Sequence, residues 1–487
     1  MDLRKSLPLL LALAGFLVVA TFSVFPLQSD DLFMYLAMGR RFLETGSLPS
    51  ADPFLFEPRP WHMYHQWLTY LFFYGSYKLG GYSLISAAKT ALLLFSFALP
   101  LALARRSLPR LCVWLLSAAL ACLASSFRFI ERADLFTNLC LVAVLVIVLR
   151  ELERPSRWLW LVPVIFLAWV NLHPGFPVGW AVLAAAVGAQ WVRGRDARRL
   201  AAASAASAAA CLANPLGWGG AAYPFAFSRT YAPFLRRFYF EWYSPFNPLL
   251  RANPQLPFLI AVALLTAAIL WSSRRSRPWF HAAVFAGLAY LAAGQVRFIP
   301  AFCLVAVVLN VSLTPEVVGW LDRRAAVSLA LAALALGAKN VALGYDTISG
   351  HRAFGFGIDR KVVPIDAVEW MRSNGIRGNA YNPHFFGAYL AWAWDGKFLY
   401  DGSVVDPDYF LNDYLPFARS NEDFDRLVRK HRIEVFLVDR FADAKPIVDI
   451  LIRRPDWQLV YKDKGSLIFL PASYTRSHPL HDTLAHG

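Results

Sequence analysis

The stretch "VFPLQSDDLFMYLAMGRRFLETG" (residues 24–46) marks the point where a long apolar run ends and a polar segment begins. The run itself, residues 7–25, is about long enough to cross a hydrocarbon core of ~30 Å. Asp30 and Asp31 follow as two adjacent acids, and residues 30–44 have the pattern of an amphipathic helix. The chain therefore places a carboxylate pair where it first leaves the membrane.

The 487-residue chain is 57% hydrophobic and has a mean hydropathy of +0.42, which is too apolar for an ordinary soluble protein. Its apolar segments predict a polytopic α-helical membrane protein with about eleven transmembrane helices. Arg4 and Lys5 precede the first segment as in a signal peptide, but the many later spans indicate a retained anchor. The predicted spans are 7–25, 84–104, 109–127, 134–149, 158–172, 176–192, 200–213, 255–272, 279–296, 299–318 and 325–344.

Arginine-rich loops alternate along the chain and give the orientation of the spans. By the positive-inside rule these loops lie in the cytoplasm, and an odd number of spans places the N-terminus inside and the C-terminal region outside. The formal net charge of +15 comes mostly from these cytoplasmic loops and reflects the orientation of the spans, so we reject nucleic acid as a partner. The basic loops are 105–110, 150–157, 193–199, 274–277 and 322–324.

The sequence divides into two regions and a tail. Residues 1–345 form the predicted transmembrane domain, which includes a large first outer loop at 27–83. Residues 346–473 predict an extracytoplasmic α/β domain, and residues 474–487 predict a disordered tail. Local patterns predict helices at 66–80 and 364–375, strands at 397–402 and 433–439, and a hairpin at 457–470.

Polar residues of mixed charge collect at the outer ends of the spans, whereas the inner loops are mostly arginine. Such residues are costly at membrane depth and are usually retained for function or by mutual pairing. Their position on one side predicts a shared cavity that faces outward. They are Asp30, Asp31, His62, His65, Gln66, Arg128, Glu131, Arg132, Asp134, Asn171, His173, Asn214, Glu241, Gln295 and Arg297.

The sequence Ser29-Asp30-Asp31 allows two interpretations. Ser or Asp caps a helix, and acids in the first turn interact well with the positive end of the helix dipole. A cap accounts for one of the two acids and leaves the other unexplained. A carboxylate here would also serve as a general base if a nucleophile's proton comes within hydrogen-bond reach.

His62 and His65 lie three residues apart in "PWHMYHQWL" (60–68), which places them on one face of a helix. They would share a metal with an acid, contact a phosphate, or belong to an interfacial aromatic belt with polar tips. The aromatic belt is favoured over the metal site.

The stretch "SFRFIERADLF" (126–136) packs two arginines and two acids between two spans. They form either an internal salt-bridge cluster or a phosphate clamp, since arginine binds phosphate with two parallel hydrogen bonds. Arg297 is more distinctive, because it stands almost alone between two apolar spans on the side that is not rich in arginine. His173 lies in another short outer turn, where helix capping explains its neighbour Asn171 better than His173 itself.

Motifs of several other enzyme classes are missing from the sequence. It contains no GxxxxGK[ST], HExxH, GxSxG or GxGxxG, which removes support for nucleotide hydrolysis, zinc proteolysis and serine hydrolysis.

The stretch "DLFMYLAMGRRFLETGSLPSADPFLFEPRPWHMYHQWL" (31–68) resembles a bacterial group within the GT-C class of membrane glycosyltransferases. That group typically reads Asp-Leu-Trp-Trp-His-Leu-x-x-Gly, then Ile-Pro-x-x-Asp-Pro-Phe, then Trp-x-x-His-x-Trp-Leu. Residues 31–39, 48–54 and 61–68 take those places here.

The resemblance extends beyond this loop, with some departures. Phe33 and Met34 replace the group's paired tryptophans, and Tyr35 replaces its usual histidine. Residues 380–402 are similar to the group's Asn-x-x-x-x-Gly-x-Tyr-Leu segment with its following Asp-Gly turn. The likeness covers most of the chain, and the first outer loop is its specific part.

The resemblance implies a glycosyltransferase of the bacterial plasma membrane that takes a sugar from a polyprenyl-phosphate donor. The acceptor would be an outward-facing glycan, lipid or protein, and the anomeric carbon would be inverted. Asp31 would act as the general base, while Asp30 would orient it, hold a metal or cap the helix. The donor phosphate would be bound by Arg128, Arg132, Arg297, His65 and His173, and the substrate by His62, Gln66 and Glu241.

No cofactor is required by this scheme, although a divalent metal is compatible with it. A phosphate leaving group is a weak base, so the reaction needs no strong general acid. Two other functions remain open at this point: a transporter or lipid flippase, and a non-catalytic membrane subunit. A transporter would favour internal repeats and broken helices near the midplane, and the sequence gives no sign of either.

Overall fold

A computed structural model describes residues 3–59, 64–104, 107–250, 253–276, 278–314, 322–401, 406–440 and 445–481. The fold is mostly helical, with a small hairpin and one five-stranded sheet. The helices are α1 (Leu3–Ser23), α2 (Asp30–Thr45), α3 (Trp67–Ala98), α4 (Leu101–Ala104), α5 (Leu108–Ser125), α6 (Asp134–Glu153), α7 (Val162–Leu172), α8 (Pro177–Val192), α9 (Arg198–Ala210), α10 (Trp218–Phe238), α11 (Leu256–Ser272), α12 (Trp279–Gly294), α13 (Ile299–Leu313), α14 (Arg323–Leu343), α15 (Ile365–Ser373), α16 (His384–Ala393), α17 (Pro407–Tyr409), α18 (Asn421–His431), α19 (Lys445–Ile452) and α20 (Ala472–Ser477). The strands are β1 (Tyr345–Thr347), β2 (Gly350–Arg352), β3 (Asn379–Tyr381), β4 (Lys397–Phe398), β5 (Ile433–Asp439), β6 (Trp457–Lys462) and β7 (Ser466–Pro471).

Apolar helices confirm a multi-pass membrane protein. In the described part of the chain, 6 helical segments are long and apolar enough to cross a membrane, and 4 shorter apolar helices accompany them. Together they overlap all the predicted spans except 200–213, which corresponds to the Ala-rich helix α9. The total of eleven spans stays a prediction. The six longer segments are Ser6–Ser23, Trp67–Ala104, Leu108–Arg128, Asp134–Glu153, Val296–Leu313 and Arg323–Leu343.

Packing divides the chain into two compact units. The helical unit consists of Met1–Pro26 and Ser83–Gly357, and the α/β unit consists of Leu27–Tyr82 and Ile358–Gly487. The predicted domain boundaries at 345 and 473 stay predictions.

The helical unit is built around α13. Every residue from 299 to 311 on this helix is buried, and it packs against α5, α6, α11 and α12. A helix that is apolar on all sides suits such a central position. Next to it the Trp114 indole on α5 is fully buried, and its Nε1 donates a hydrogen bond of 2.8 Å to the Phe97 carbonyl oxygen.

The α/β unit contains one mixed sheet, in the order β4-β3-β5-β7-β6. β3 runs parallel to β4 and β5, while β7 is antiparallel to both β5 and β6. The predicted strand at 433–439 and the hairpin at 457–470 are confirmed by β5 and by β6 with β7. The predicted helix at 364–375 is confirmed by α15.

The predicted strand at 397–402 is wrong in length, because β4 contains Lys397 and Phe398 alone. Leu399 N still donates to the Ala380 carbonyl oxygen of β3 at 2.9 Å, and the backbone of the next residue pairs with a side chain. Tyr400 N donates to Asn382 Oδ1 at 3.3 Å, and Asn382 Nδ2 donates to the Tyr400 carbonyl at 2.6 Å. The side-chain amide of Asn382 therefore makes the two backbone hydrogen bonds that a neighbouring strand would make at this point.

The first outer loop belongs to the α/β unit by its packing. Leu55 forms a parallel bridge to Phe398, which extends the sheet beyond β4. The predicted helix at 30–44 is confirmed by α2, which packs on α16. In that contact Phe33, which stands in a tryptophan position of the family pattern, meets Tyr389 edge to face at 4.9 Å.

The segment Trp67–Ala98 contains a break at Gly80 and Gly81. Gly81 has a φ of 60°, a conformation that glycine adopts without steric cost. The break separates the predicted helix at 66–80 from the following span, so both predicted segments are helical as expected.

The end of the chain has structure as far as it is described. After α20, His481 pairs with Asn374: its backbone N–H donates to Asn374 Oδ1 at 2.7 Å. Trp370 Nε1 also donates to the His481 carbonyl at 3.1 Å. Residues 482–487 of the predicted tail lie outside the described residues.

We predict that Gly39→Ala destabilises the α/β unit. An added Cβ at this position of α2 would lie 2.5 Å from Tyr74 Cβ and 2.6 Å from the Tyr70 carbonyl oxygen. Overpacking of this kind costs about 1–3 kcal/mol. The measurement is the thermal unfolding midpoint of the detergent-solubilised protein, followed by intrinsic fluorescence.

Gly75→Ala is the matched control. It lies on the neighbouring helix, and an added Cβ would meet nothing within 4 Å. Because alanine favours helix, we expect either an unchanged midpoint or a higher one, corresponding to a gain of up to about 1 kcal/mol in the free energy of unfolding. Equal midpoints for Gly39→Ala and the wild type would contradict the close packing of α2 on α3.

Candidate functional site

Five charged residues of the helical unit come together and are called here the cation cluster: Arg128, Arg132, Asp134, Glu241 and Arg297. Arg128 is its centre, because its Nη1 donates to Glu241 Oε2 and its Nη2 donates to Asp134 Oδ2, each at 2.5 Å. Arg132 Nη1 donates to Glu241 Oε1 at 3.1 Å. The cluster thus joins the loop before α6 to the segment after α10. Of the internal salt bridges expected within 126–136, the pair of Arg128 with Asp134 is present, whereas Glu131 pairs with Lys89 outside this stretch.

Arg297 differs from the other two arginines of the cluster. Its guanidinium carbon lies 4.5 Å from the centroid of the Trp242 ring, and its charge interacts with Glu241. Within the part of the chain that is described, its side chain makes no hydrogen bond. Two nearby buried oxygens, Gln295 Oε1 and Asp134 Oδ1, also have no described hydrogen-bond partner. The hydrogen-bonding capacity of Arg297 therefore remains open to a ligand.

The charges of the cation cluster do not cancel. Counted over these five side chains alone, three guanidinium groups accompany two carboxylates, an excess of one positive charge. Burial would raise the pKa of Glu241, but the guanidinium groups of Arg128, Arg132 and Arg297 outweigh it and hold the pKa below its usual range. Glu241 is therefore a carboxylate at neutral pH, and an anion is the ligand that the cluster suits.

His173 lies at the end of α7 in the helical unit. Its Nδ1 is 2.7 Å from Thr137 Oγ1 and accepts a hydrogen bond of 3.1 Å from Gly175 N. Trp169 Nε1 donates to the same threonine oxygen at 2.8 Å. Because Nδ1 accepts from Gly175 N, the proton of the neutral ring is on Nε2.

The acid pair occupies the first turn of α2 in the α/β unit. Ser29 stands at the N-cap with an extended backbone, but its side chain makes no capping hydrogen bond. Asp30 Oδ1 instead accepts the backbone N–H of Asp31 at 2.9 Å. The capping interpretation therefore fits Asp30, and the half-buried Asp31 is the acid that it leaves unexplained.

The histidine pair is described in part. His65 and Gln66 are both buried in a short 3₁₀ turn before α3, whereas His62 lies outside the described residues. Among the residues that the structure describes, no group of three or more His, Cys, Asp or Glu side chains is arranged to hold a metal ion. The roles predicted for His62, His65 and Gln66 stay predictions.

A buried acid pair in the α/β unit is absent from the sequence-based site. Asp52 and Asp401 are each 2% exposed, and the two carboxyl groups are close enough for the charge of Asp401 to disfavour ionisation of Asp52. Burial first, and the charge of Asp401 second, raise the pKa of Asp52 to about 9. Asp52 Oδ1 also accepts the backbone N–H groups of Phe54 and Leu55. Both acids stand in the family-like segments, where the sequence pattern gives no sign that they meet.

A second unforeseen pair lies in the helical unit. Lys89 Nζ donates to Glu131 Oε1 at 2.6 Å, and both side chains are fully buried. The sequence did carry a signal, since a single lysine inside the predicted span 84–104 is unusual in a membrane.

The structure brings together the predicted residues Arg128, Arg132, Glu241 and Arg297. Asp31 belongs to the other compact unit, and its meeting with these arginines in one cavity stays a prediction.

No family model and no curated protein sequence matches this chain. Solved structures of membrane glycosyltransferases do match it. The oligosaccharyltransferase of Archaeoglobus fulgidus, in complex with Zn and sulfate, is 14% identical with a TM-score of 0.60, and the match covers 97% of this chain and 74% of that one. ArnT from Cupriavidus metallidurans, bound to undecaprenyl phosphate, is 14% identical with a TM-score of 0.54, covering 96% and 98%.

The arabinofuranosyltransferase AftD from Mycobacteria is a third match. It is 14% identical with a TM-score of 0.52, and the match covers 96% of this chain and 42% of that one. All three are GT-C glycosyltransferases. At this identity the likeness shows the fold alone, and the chain has the GT-C fold.

We predict that Asp52 makes the stability of the α/β unit fall as the pH rises. The folded carboxyl keeps its proton up to about pH 9, whereas the ordinary value is 3.8. Unfolding therefore releases a proton between these two pH values. The contribution of Asp52 to the free energy of unfolding is greatest below about pH 4 and is lost towards pH 9. Asp52→Asn keeps a neutral group and should remove this slope, which is at most about 1.4 kcal/mol per pH unit.

The measurement is the unfolding midpoint of each protein at pH 5, 7 and 9. Asp395→Asn is the control, because Asp395 is an exposed acid of the same unit, and its slope should equal that of the wild type. Parallel curves for Asp52→Asn and the wild type would contradict a protonated Asp52.

Proposed function

We propose that this chain is an integral-membrane glycosyltransferase that moves a sugar from a polyprenyl-phosphate donor to an acceptor on the extracytoplasmic side. The single observation that carries the proposal is the excess positive charge of the cation cluster, with the hydrogen bonds of Arg297 unused, in a chain with the GT-C fold. Solved neighbours bind the ligands expected of such an enzyme: ArnT binds undecaprenyl phosphate, and the archaeal enzyme AglB binds a dolichol-phosphate and an inhibitory peptide.

The cation cluster would bind the donor phosphate. Glu241 and Asp134 hold Arg128 by ion pairs, so this guanidinium is fixed before the ligand arrives. Arg297, oriented by the Trp242 ring, would give its N–H groups to phosphate oxygens. In this scheme Glu241, predicted from the sequence to bind substrate, orients the arginines and does not act as an acid, because it remains ionised.

The chemical step would be a single displacement. The acceptor hydroxyl oxygen attacks the anomeric carbon as the bond from that carbon to the phosphate oxygen breaks, and the phosphate leaves with the electron pair. Asp31 takes the hydroxyl proton as general base, and the arginines stabilise the charge that develops on the phosphate. One displacement inverts the anomeric carbon.

The remaining roles are part of the same proposal. His65 and His173 would bind the donor phosphate, and His62 and Gln66 would line the substrate site. No step is assigned to a divalent metal. The enzyme would lie in a bacterial plasma membrane with its N-terminus in the cytoplasm and its C-terminal α/β domain outside.

We predict that Arg297→Gln weakens binding of undecaprenyl phosphate to the purified protein in nanodiscs. The loss of charge-assisted hydrogen bonds worth about 1.5–3 kcal/mol lowers affinity by about 10- to 100-fold. Arg237→Gln is the matched control, since Arg237 is exposed and also lies near an aromatic ring, with its guanidinium carbon 5.4 Å from the Phe238 centroid. Wild-type affinity in Arg297→Gln would exclude the cation cluster as the donor site.

We predict that Asp31→Asn abolishes sugar transfer and leaves undecaprenyl phosphate binding intact, because the amide cannot take the acceptor's proton. Loss of a general base lowers the rate by about 10²- to 10⁴-fold. The assay measures sugar release from a panel of polyprenyl-phosphate sugars with purified protein in nanodiscs.

Glu44→Gln is the control for this assay, because Glu44 is an exposed acid near the other end of α2. It should retain wild-type transfer. Undiminished transfer by Asp31→Asn would contradict the assignment of Asp31 as the general base. If the wild type binds undecaprenyl phosphate but transfers no sugar, a non-catalytic membrane subunit is favoured instead.

A further inference from the structure

Lys89 on α3 and Glu131 form an ion pair that has no access to water, since both side chains are 0% exposed. Replacing such a buried pair by apolar residues is often neutral or stabilising, so stability alone does not account for it. Ionisable residues at membrane depth are rare and usually functional. The cation cluster described above does not include this pair.

Arg352 is a second buried cation beside the same pair. It is 4% exposed, and its Nη2 donates to the Phe127 carbonyl oxygen at 2.9 Å. Its guanidinium carbon lies 4.2 Å from the centroid of the Phe25 ring, and Lys89 Nζ lies 3.7 Å from the same centroid. The phenyl ring is therefore held between two cations, both of which favour a ring face.

The partners of both cations lie in one short segment between α5 and α6, residues 126–133, called here the arginine loop. Arg352 binds it at Phe127, and Lys89 binds it at Glu131. Each of these two residues directly precedes an arginine of the cation cluster, Arg128 and Arg132. The loop is thus held by buried groups of the helical unit at the two residues that directly precede its arginines.

We infer that Lys89 and Arg352 are positioning residues for phosphate recognition: they hold the arginine loop so that Arg128 and Arg132 are presented to the donor phosphate. This inference rests on the proposed function. Its physical basis is preorganisation, because a loop ordered before binding does not lose conformational freedom when the ligand arrives. Neither residue contacts the phosphate in this scheme.

The first test compares wild type with Lys89→Met/Glu131→Leu as full-length proteins in nanodiscs titrated with undecaprenyl phosphate. The double variant removes both charges of the pair, and Arg352 keeps its hydrogen bond to the Phe127 carbonyl, so we expect the protein to fold, with an unfolding midpoint lowered only by the lost attraction between Arg352 and Glu131. Its affinity for undecaprenyl phosphate should fall by about tenfold, because the arginine loop then loses conformational freedom when the ligand binds. Wild-type affinity in the folded double variant would overturn the inference.

Arg352→Met is the second variant, and it keeps the inference testable if the double variant fails to fold. Arg352→Met leaves the ion pair of Lys89 and Glu131 in place, so the change does not strand a buried carboxylate. We expect a severalfold loss of affinity, since one of two fixed points of the loop is removed. An unchanged affinity here would also overturn the inference.

The matched control is Glu151→Gln/Arg199→Gln. This pair also joins a buried carboxylate to an arginine, at 2.8 Å between Arg199 Nε and Glu151 Oε1, but it does not involve the arginine loop. Its affinity for undecaprenyl phosphate should equal that of the wild type. A loss equal to that of the Lys89 variant would show a general effect of ion pairs and overturn the positioning role.

A double-mutant cycle separates positioning from a merely structural role. If Lys89 acts through Arg132, then adding the Lys89→Met/Glu131→Leu changes to Arg132→Gln should cost less than about twofold in affinity. A full additional tenfold loss would overturn the inference.

The outcomes also separate this inference from the proposed function. If Arg297→Gln binds undecaprenyl phosphate as the wild type does, the proposed function fails. If Arg297→Gln weakens binding and the Lys89 and Arg352 variants do not, the inference alone fails.

Discussion

The helical unit depends on one constraint: a guanidinium group taken out of water at the edge of a membrane must find a carboxylate. Arg128 is nearly buried, with 6% of its side chain exposed, and it has two such partners, Asp134 and Glu241. The cost of an unpaired ion in this position is several kcal/mol. The ion pairs that avoid this cost join the start of α6, the segment after α10 and the loop after α5. They form the cation cluster of the helical unit.

The same constraint explains why the cluster is suited to a ligand. Two carboxylates neutralise two of three guanidinium groups, and the third, Arg297, rests against the Trp242 ring without a described hydrogen bond. An aromatic face stabilises a cation and leaves the edge of its guanidinium plane available for a bidentate acceptor. In the proposed function, an anion would accept the hydrogen bonds that Arg297 does not make within the described residues.

In the α/β unit, several residues of the family-like segments act through packing. Gly39 allows α2 to approach the Tyr70 carbonyl, and Asn382 pairs with both backbone groups of Tyr400 where β4 ends. Gly39 has no room for a Cβ, and the amide of Asn382 supplies both the donor and the acceptor that the Tyr400 backbone needs. Asp31 is different: its neighbour Asp30 accepts a backbone N–H of the first turn, so capping does not account for the second acid. This division separates the structural part of the pattern from its chemical part.

The sequence by itself determined the membrane class, most of the helix and strand bounds, and the residue types of the cation cluster. These follow from apolar length, periodicity and charge, which are local properties of the chain. Only the tertiary structure decided which charges pair: Arg128 meets Glu241 across more than a hundred residues, Asp52 meets Asp401, and Lys89 meets Glu131. Pairing is set by the distances between side chains after folding, and the energy that selects it, the cost of burying an unpaired charge, exists only once the surrounding helices have excluded water.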